Sequence, residues 1–283
     1  MDKHHPNDGP VPLAKDEQEA RNRHAANRLS WNEAAARYTE ELQQTIRFIQ
    51  AGRSNFHPVE RANLGSLRPW CGRAIHLQCA SGRDTLSLWI EGAREVVGVD
   101  ISDDHIRNAR ALGEAVNAPA QWFCCDVLDT PRELNATADL VYTGRGSLCW
   151  LHDLDAWAKV VARLLKPGGL FHILDDHPFT WMFDPSAETL TPSGINYFGY
   201  AEISRGWGAN YIGDLGIPLE QMAPKYEQLW TLSQVHQALR NAGLMIEILG
   251  EHPHPYWDCL PNLPQPVKAN LPLTFSILAR KPS

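Results

Sequence analysis

The chain has 283 residues, 43% of them hydrophobic, and a formal net charge of −7. That length supports one sizeable core with a modest cap, and so acidic a balance is a poor match for phosphate neutralisation, which argues against a nucleic-acid partner. No run of about 18 apolar residues occurs, so no membrane-spanning helix is expected.

Residues 1–28 are polar, carry no apolar stripe and lack the apolar segment of a secretion signal; they read as a flexible tail on a cytoplasmic protein. The six cysteines fit that compartment, because Cys124 and Cys125 are adjacent and no C-x-x-C pair occurs. Buried free thiols are the expectation. The stretch "SWNEAAARYTEELQQTIRFIQAG" predicts a helix capped by Ser30, with Glu33 three residues on and Gly52 at its end. Its apolar face is Tyr38, Leu42, Thr45, Ile46 and Ile49. Residues 29–70 are thus expected to form an N-terminal helical cap, and 71–283 the main domain.

From residue 74 strand and helix patterns alternate. "AIHLQCA" reads as a strand, "DTLSLWIEGA" as a helix, "EVVGVD" as a strand and "DDHIRNARALGEAV" as a helix. "AQWFCCDV" and "DLVYTG" are two more strands. In "DLDAWAKVVARLL" Asp153 caps a helix whose buried stripe is Trp157, Val160, Val161, Leu164 and Leu165. "KPGG" stops it, and "LFHILDD" is the fifth strand. The alternation then breaks over residues 178–229, which are rich in Pro, Gly and aromatics. A structureless loop of that length is uncommon in a compact domain, so this segment reads as a substrate-covering lid containing a hairpin. "LSQVHQALRNAGL" returns to helix, with Ser233 as cap and Gly243 as terminator, and "MIEILGEH" and "LPLTFSILARK" complete seven strands. The fold class is α/β: a Rossmann-like, seven-stranded, mostly parallel sheet with helices on both faces, an N-terminal helical cap and a lid after the fifth strand.

In such a sheet, ligands sit at the carboxyl ends of the strands. The first end is the turn "QCASG", whose small residues let a ligand approach the backbone. The second strand ends in Asp100, placed to accept from two ribose hydroxyls; Ser102 is the better candidate to cap the next helix. The third ends in Asp126, placed to accept from an exocyclic adenine amine. Together they describe an adenosine site.

These residues resemble the class I S-adenosylmethionine-dependent methyltransferases over about 70–180 and 229–283. The family's first motif is a strand ending in Asp followed by G-x-G-x-G, and the aligned letters here are His76, Gln78, Ala80 and Gly82, with only the last glycine kept. "LLKPGG" at 164–169, His177-Pro178 and the final strand at 271–281 extend the likeness to bacterial small-molecule methyltransferases. The resemblance implies S-adenosylmethionine as cofactor, held by Gln78, Cys79, Ala80, Gly82, Asp84, Asp100, Ile101, Asp126, Val127 and Gly144. Gln78 is either a polar contact to the amino-acid end or a packing residue, and Tyr38 either folds over the cofactor or packs in the core.

Methyl transfer is an in-line displacement that needs alignment, exclusion of water and, for a hydroxyl or ammonium acceptor, a base. The base candidates are His177 and Asp176, with Tyr38 as a third catalytic candidate. His57, Arg145, Trp150, Phe179, Trp181, Tyr197 and Trp207 are the substrate-binding candidates. So aromatic a lid suits a small-molecule acceptor with an aromatic or nitrogen-heterocyclic ring, indole- or phenol-like. No metal is expected: His252, His254 and Cys259 read as a loop entering the last strand. A second copy of the chain, as a homodimer, is the one macromolecular partner allowed for. A nicotinamide reductase would need G-x-G-x-x-G, absent here, and usually Tyr-x-x-x-Lys, which no tyrosine satisfies. The alternative is a catalytically silent binding module, which the lost glycines allow and the retained Asp100 and Asp126 argue against.

Overall fold

The computed structural model describes residues 7–208 and 211–283. In chain order it contains β1 (Gly9–Val11), α1 (Glu17–Gln50), α2 (Pro58–Leu64), β2 (Arg73–Leu77), α3 (Arg83–Ile90), β3 (Glu95–Asp100), α4 (Asp103–Ala115), β4 (Ala120–Cys124), β5 (Ala138–Gly144), α5 (Leu154–Leu164), β6 (Leu165–Asp176), β7 (Tyr200–Ser204), β8 (Lys225–Leu229), α6 (Leu232–Asn241), β9 (Met245–His252), α7 (Gln265–Lys268) and β10 (Thr274–Arg280).

Seven strands form one sheet in the order β4-β3-β2-β5-β6-β10-β9. β2, β3, β4, β5 and β6 run parallel, and β10 pairs antiparallel with both β6 and β9. The chain winds outward from β2 to β4, then crosses back to β5, so the carboxyl ends of β2 and β5 flank the switch point where such sheets bind ligands. The expected α5 stripe of Trp157, Val160, Val161 and Leu164 is buried on one face, against Phe171 and Ile173 of β6. The other face is covered by Ile49, Leu64, Leu86, Leu88 and Leu112.

Three expectations are corrected. The helical cap starts at Glu17 rather than Ser30: Asp16 is the N-cap, and its side chain accepts from the Glu19 N–H at 2.8 Å. Ser30 lies buried inside the helix, so the boundary placed at residue 28 does not exist. The first turns escaped an apolar-stripe reading because the face they bury is polar, with Arg23, His24, Asn27 and Ser30 in contact with protein. Arg23, for example, donates to Pro12 O and to Glu19. The supposed tail also supplies β1. The hairpin expected in the 178–229 lid is present as β7 and β8, and β1 joins its outer edge to make a second sheet, β1-β7-β8. Finally, Thr231 and not Ser233 caps α6, in a reciprocal box with Gln234; the hydroxyl one residue before the helix is the one that can reach its free N–H groups.

All six cysteines are free thiols; Cys71 and Cys79 are buried, whereas Cys124 is exposed. No helix among the described residues is long and apolar enough to cross a membrane.

Candidate functional site

β2 ends at Leu77 and the chain turns sharply. Gln78, Ala80 and Gly82 all have positive φ, at 58°, 44° and 82°. These are the three glycine positions of the family's motif, so the turn keeps a glycine backbone with only one of the three glycines. Gly82 itself is irreplaceable: a Cβ there would lie 2.6 Å from the Trp122 ring. Left-handed backbone costs an alanine about 1 kcal/mol, and Ala→Gly ordinarily costs about as much through the unfolded chain. Ala80→Gly should therefore leave the urea-unfolding free energy within about 0.5 kcal/mol of the wild type, since the two effects oppose. A loss of about 1 kcal/mol or more would show that Ala80 carries no strain.

The turn is tied to its neighbours. Asp100 Oδ2 accepts from the Ala80 N–H at 2.8 Å and Oδ1 from the Ser102 N–H at 2.9 Å. Burial pushes the Asp100 carboxyl up to about 6, against the lowering pull of those N–H groups. At the tip of β4, Asp126 Oδ1 accepts from the Leu128 N–H, and Oδ2 lies 2.8 Å from His24 Nδ1. His24 Nε2 accepts from the His152 N–H at 3.1 Å, which places the imidazole proton on Nδ1, donated to Asp126. Asp100, Asp126, Gln78, Ala80, Ile101 and Val127 surround a pocket of about 100 Å³, closed from above by His24, Asn27 and Trp31 of α1.

Beyond β5 the chain makes a second tight turn. Gly144 has φ 144°, and a Cβ would lie 2.2 Å from Leu174 O. Asp175, buried at the end of β6, gathers this loop: its carboxylate accepts from the N–H groups of Gly146, Ser147 and Leu148 and from Ser147 Oγ. Arg145 points back into the protein. Its guanidinium pairs with the fully buried Glu60 at 2.6 Å and with Asp84 at 3.4 Å, and donates to Asn55 O at 2.7 Å.

The small pocket shares Gln78, Ala80, Arg145, Trp150 and Tyr211 with a larger cavity of about 1030 Å³. Its roof and walls hold Trp150, Trp181, Trp207, Tyr211, Tyr256 and Trp257. Trp31, Trp150 and Trp207 form a mutual cluster with ring separations of 4.7–5.9 Å. The lid hairpin contributes Lys225, buried over the Trp207 ring and paired with Glu227 at 3.0 Å. Asp176 lies in the wall and accepts from Trp257 Nε1 at 3.0 Å. Burial, and then the adjacent Asp175, hold its carboxyl above the usual carboxylate range.

Residues 74–169 match the methyltransferase domain family. An uncharacterized methyltransferase of Synechocystis sp. (strain ATCC 27184 / PCC 6803 / Kazusa) is 31% identical over 177 residues, spanning 60% of this chain and 74% of the relative. The chain belongs to the class I S-adenosylmethionine-dependent methyltransferases. Solved structures agree at the level of fold. S-adenosylmethionine-dependent methyltransferases from Listeria monocytogenes and Mesorhizobium loti superpose with TM-scores of 0.57 and 0.55 at 17% and 21% identity. Each comparison covers 79% of this chain and 96% of the other.

Most residues expected to serve this methyltransferase do converge. Gln78, Cys79, Ala80, Gly82, Asp84, Asp100, Ile101, Asp126, Val127 and Gly144 line one or both cavities, as do Tyr38, Asp176, Arg145, Trp150, Trp181 and Trp207. Four do not line either. His177 is buried with both ring nitrogens engaged: Nε2 lies 2.7 Å from Glu251 Oε1, and Nδ1 accepts from the Phe179 N–H. It caps a turn and is not placed as a base. His57 does the same for α2, accepting from the Val59 N–H. Phe179 packs on Phe183, and Tyr197 on Phe198. Arg145 reaches the wall with its charge already matched by Glu60 and Asp84, so it is not a free hook for an anion.

The cavities are also lined by residues that the sequence does not single out, His24, Asn27 and Trp31 from α1 and Tyr256 and Trp257 from "EHPHPYWDC", together with the lid aromatic Tyr211. The α1 residues were discernible from Asp16 and Glu19, which form the start signal D-x-x-E.

Proposed function

We propose that this methyltransferase acts on a small-molecule acceptor carrying an aromatic or nitrogen-heterocyclic ring, seated in the 1030 Å³ cavity. One observation carries the reading: the small pocket at the strand tips shares Gln78, Ala80 and Tyr211 with a chamber walled by Trp181, Trp207, Tyr211 and Trp257. Flat rings stack on such walls, and a cavity this large takes a drug-sized molecule.

In this reading Asp100 accepts from the ribose hydroxyls and Asp126, oriented by His24, from the adenine amine. Gln78 Oε1 is buried and lacks a partner in the structure, so it suits the ammonium of the amino-acid end. The cofactor supplies an electrophilic methyl group on a sulfonium. The chain's residues position the acceptor and exclude water, and Asp176 takes the proton from an acceptor O–H or N–H. Carbon methylation of an electron-rich ring sheds its proton only after the methyl group has joined; a carboxylate in the chamber wall suits the deprotonation of an oxygen or nitrogen acceptor.

A panel of indoles, phenols and non-aromatic amines and alcohols, incubated with methyl-labelled S-adenosylmethionine, tests the acceptor class. Label should enter ring-bearing acceptors. Transfer only to non-aromatic molecules would overturn the assignment. Asp176→Asn should lower kcat by about 100-fold or more, the scale of a lost general base, while cofactor affinity stays within about threefold. Because the base must be ionised and its carboxyl is held high, wild-type kcat should fall on acidification at pH values where an ordinary carboxylate is still charged. A flat profile there, or full activity in the asparagine variant, would remove Asp176 from the chemistry.

A further inference from the structure

His105, in the first turn of α4, is 1% exposed, and its ring lines the small pocket between Trp31 and Tyr38. Nδ1 lies 2.7 Å from Ser81 Oγ. Nε2 has no hydrogen-bond partner in the structure, which is rare for a buried ring nitrogen. Ser81 Oγ, 3.5 Å from Asn108 Nδ2, has His105 Nδ1 as the partner for its hydroxyl hydrogen in one of the two neutral tautomers. In that tautomer Nδ1 is unprotonated and the ring carries its hydrogen on Nε2, the nitrogen left without a partner. Burial pushes the imidazole down to about 3, so the ring stays neutral at physiological pH.

From this we infer that His105 is a cofactor-positioning residue, whose Nε2–H donates to an acceptor atom on the adenosine half of S-adenosylmethionine. The inference rests on the small pocket being the adenosine site. It differs from the Asp100 and Asp126 contacts in sign: those accept from the nucleoside, whereas His105 gives.

Calorimetric titration with S-adenosylhomocysteine and with 5′-methylthioadenosine, which retains only the adenosine half, tests it. In His105→Asn the amide takes the place of Nδ1 and can keep Ser81, but nothing reaches the Nε2 position. In His105→Gln the amide nitrogen takes the place of Nε2. The expected result is about tenfold weaker binding of both ligands by the asparagine variant, with the glutamine variant within about threefold of wild type. Should the asparagine variant fail to fold, His105→Leu gives the same reading against His105→Gln. The reverse order, with asparagine benign and glutamine weakened, would show that His105 acts only by holding Ser81, and would overturn the inference. A loss confined to S-adenosylhomocysteine, or none at all, would overturn it too. Failure of the wild type to bind either ligand would instead remove the adenosine site itself.

Discussion

Asp100→Ala is expected to weaken S-adenosylhomocysteine binding at least tenfold, about 1.4 kcal/mol. The carboxylate sits where β3 ends, buried, with one oxygen on the Ala80 N–H and the other on the Ser102 N–H. Its loss therefore removes the proposed ribose acceptor and also releases the left-handed turn that forms the pocket floor. Melting temperatures separate these effects, and Asp100→Asn, which keeps the volume, should still bind poorly because its amide has a single acceptor oxygen where the carboxylate has two. The pH dependence has two signs. The folded carboxyl titrates near 6, above its ordinary value, so this group's contribution to stability falls as pH rises from about 4 through 6. Cofactor affinity should rise over the same interval, because only the ionised form accepts both bonds. Affinity that is unchanged in Asp100→Ala, or flat in pH, would sink the ribose assignment.

Asp175→Ala should cost about 3–5 kcal/mol of folding free energy, a large fraction of the roughly 5–15 kcal/mol margin of a typical domain. No other side chain holds the 144–148 loop so completely. Three consecutive main-chain N–H groups, the Ser147 hydroxyl and Tyr256 converge on one carboxylate, and alanine would leave those buried donors without an acceptor. Denaturant unfolding measures the loss, and methyl transfer should disappear with the loop. Asp175→Asn, which keeps one carbonyl acceptor, should lose about half as much. A change under about 1 kcal/mol would mean that the Gly144 and Gly146 backbone holds the loop unaided.

The sheet and the two acidic strand tips were legible because they follow from period and spacing: apolar runs, helix caps and carboxylates at strand ends. The parts that escaped share a different physics. The first half of α1 buries polar side chains, so its signal lay in the Asp16 cap and not in any stripe. Gln78 and Ala80 hide a glycine-type turn, since side-chain identity does not report φ. His57-Pro58 and His177-Pro178 look chemical, yet both are helix starts in which the imidazole caps and the proline occupies the first turn. In "EHPHPYWDC", read as a loop entering the last strand, Tyr256 and Trp257 line the chamber, and loop aromatics carry no period that marks them.

The β1-β7-β8 pairing has a practical consequence. The β1 strand is stitched to the lid hairpin, and α1, which follows it, covers the small pocket, so one segment borders both cavities. Loosening β1 from β7 is therefore expected to disturb the cover of the small pocket and the wall of the large cavity at once. β10 ends at the opposite rim, where Arg280 pairs with Leu170, away from the strand tips that carry Asp100 and Asp126.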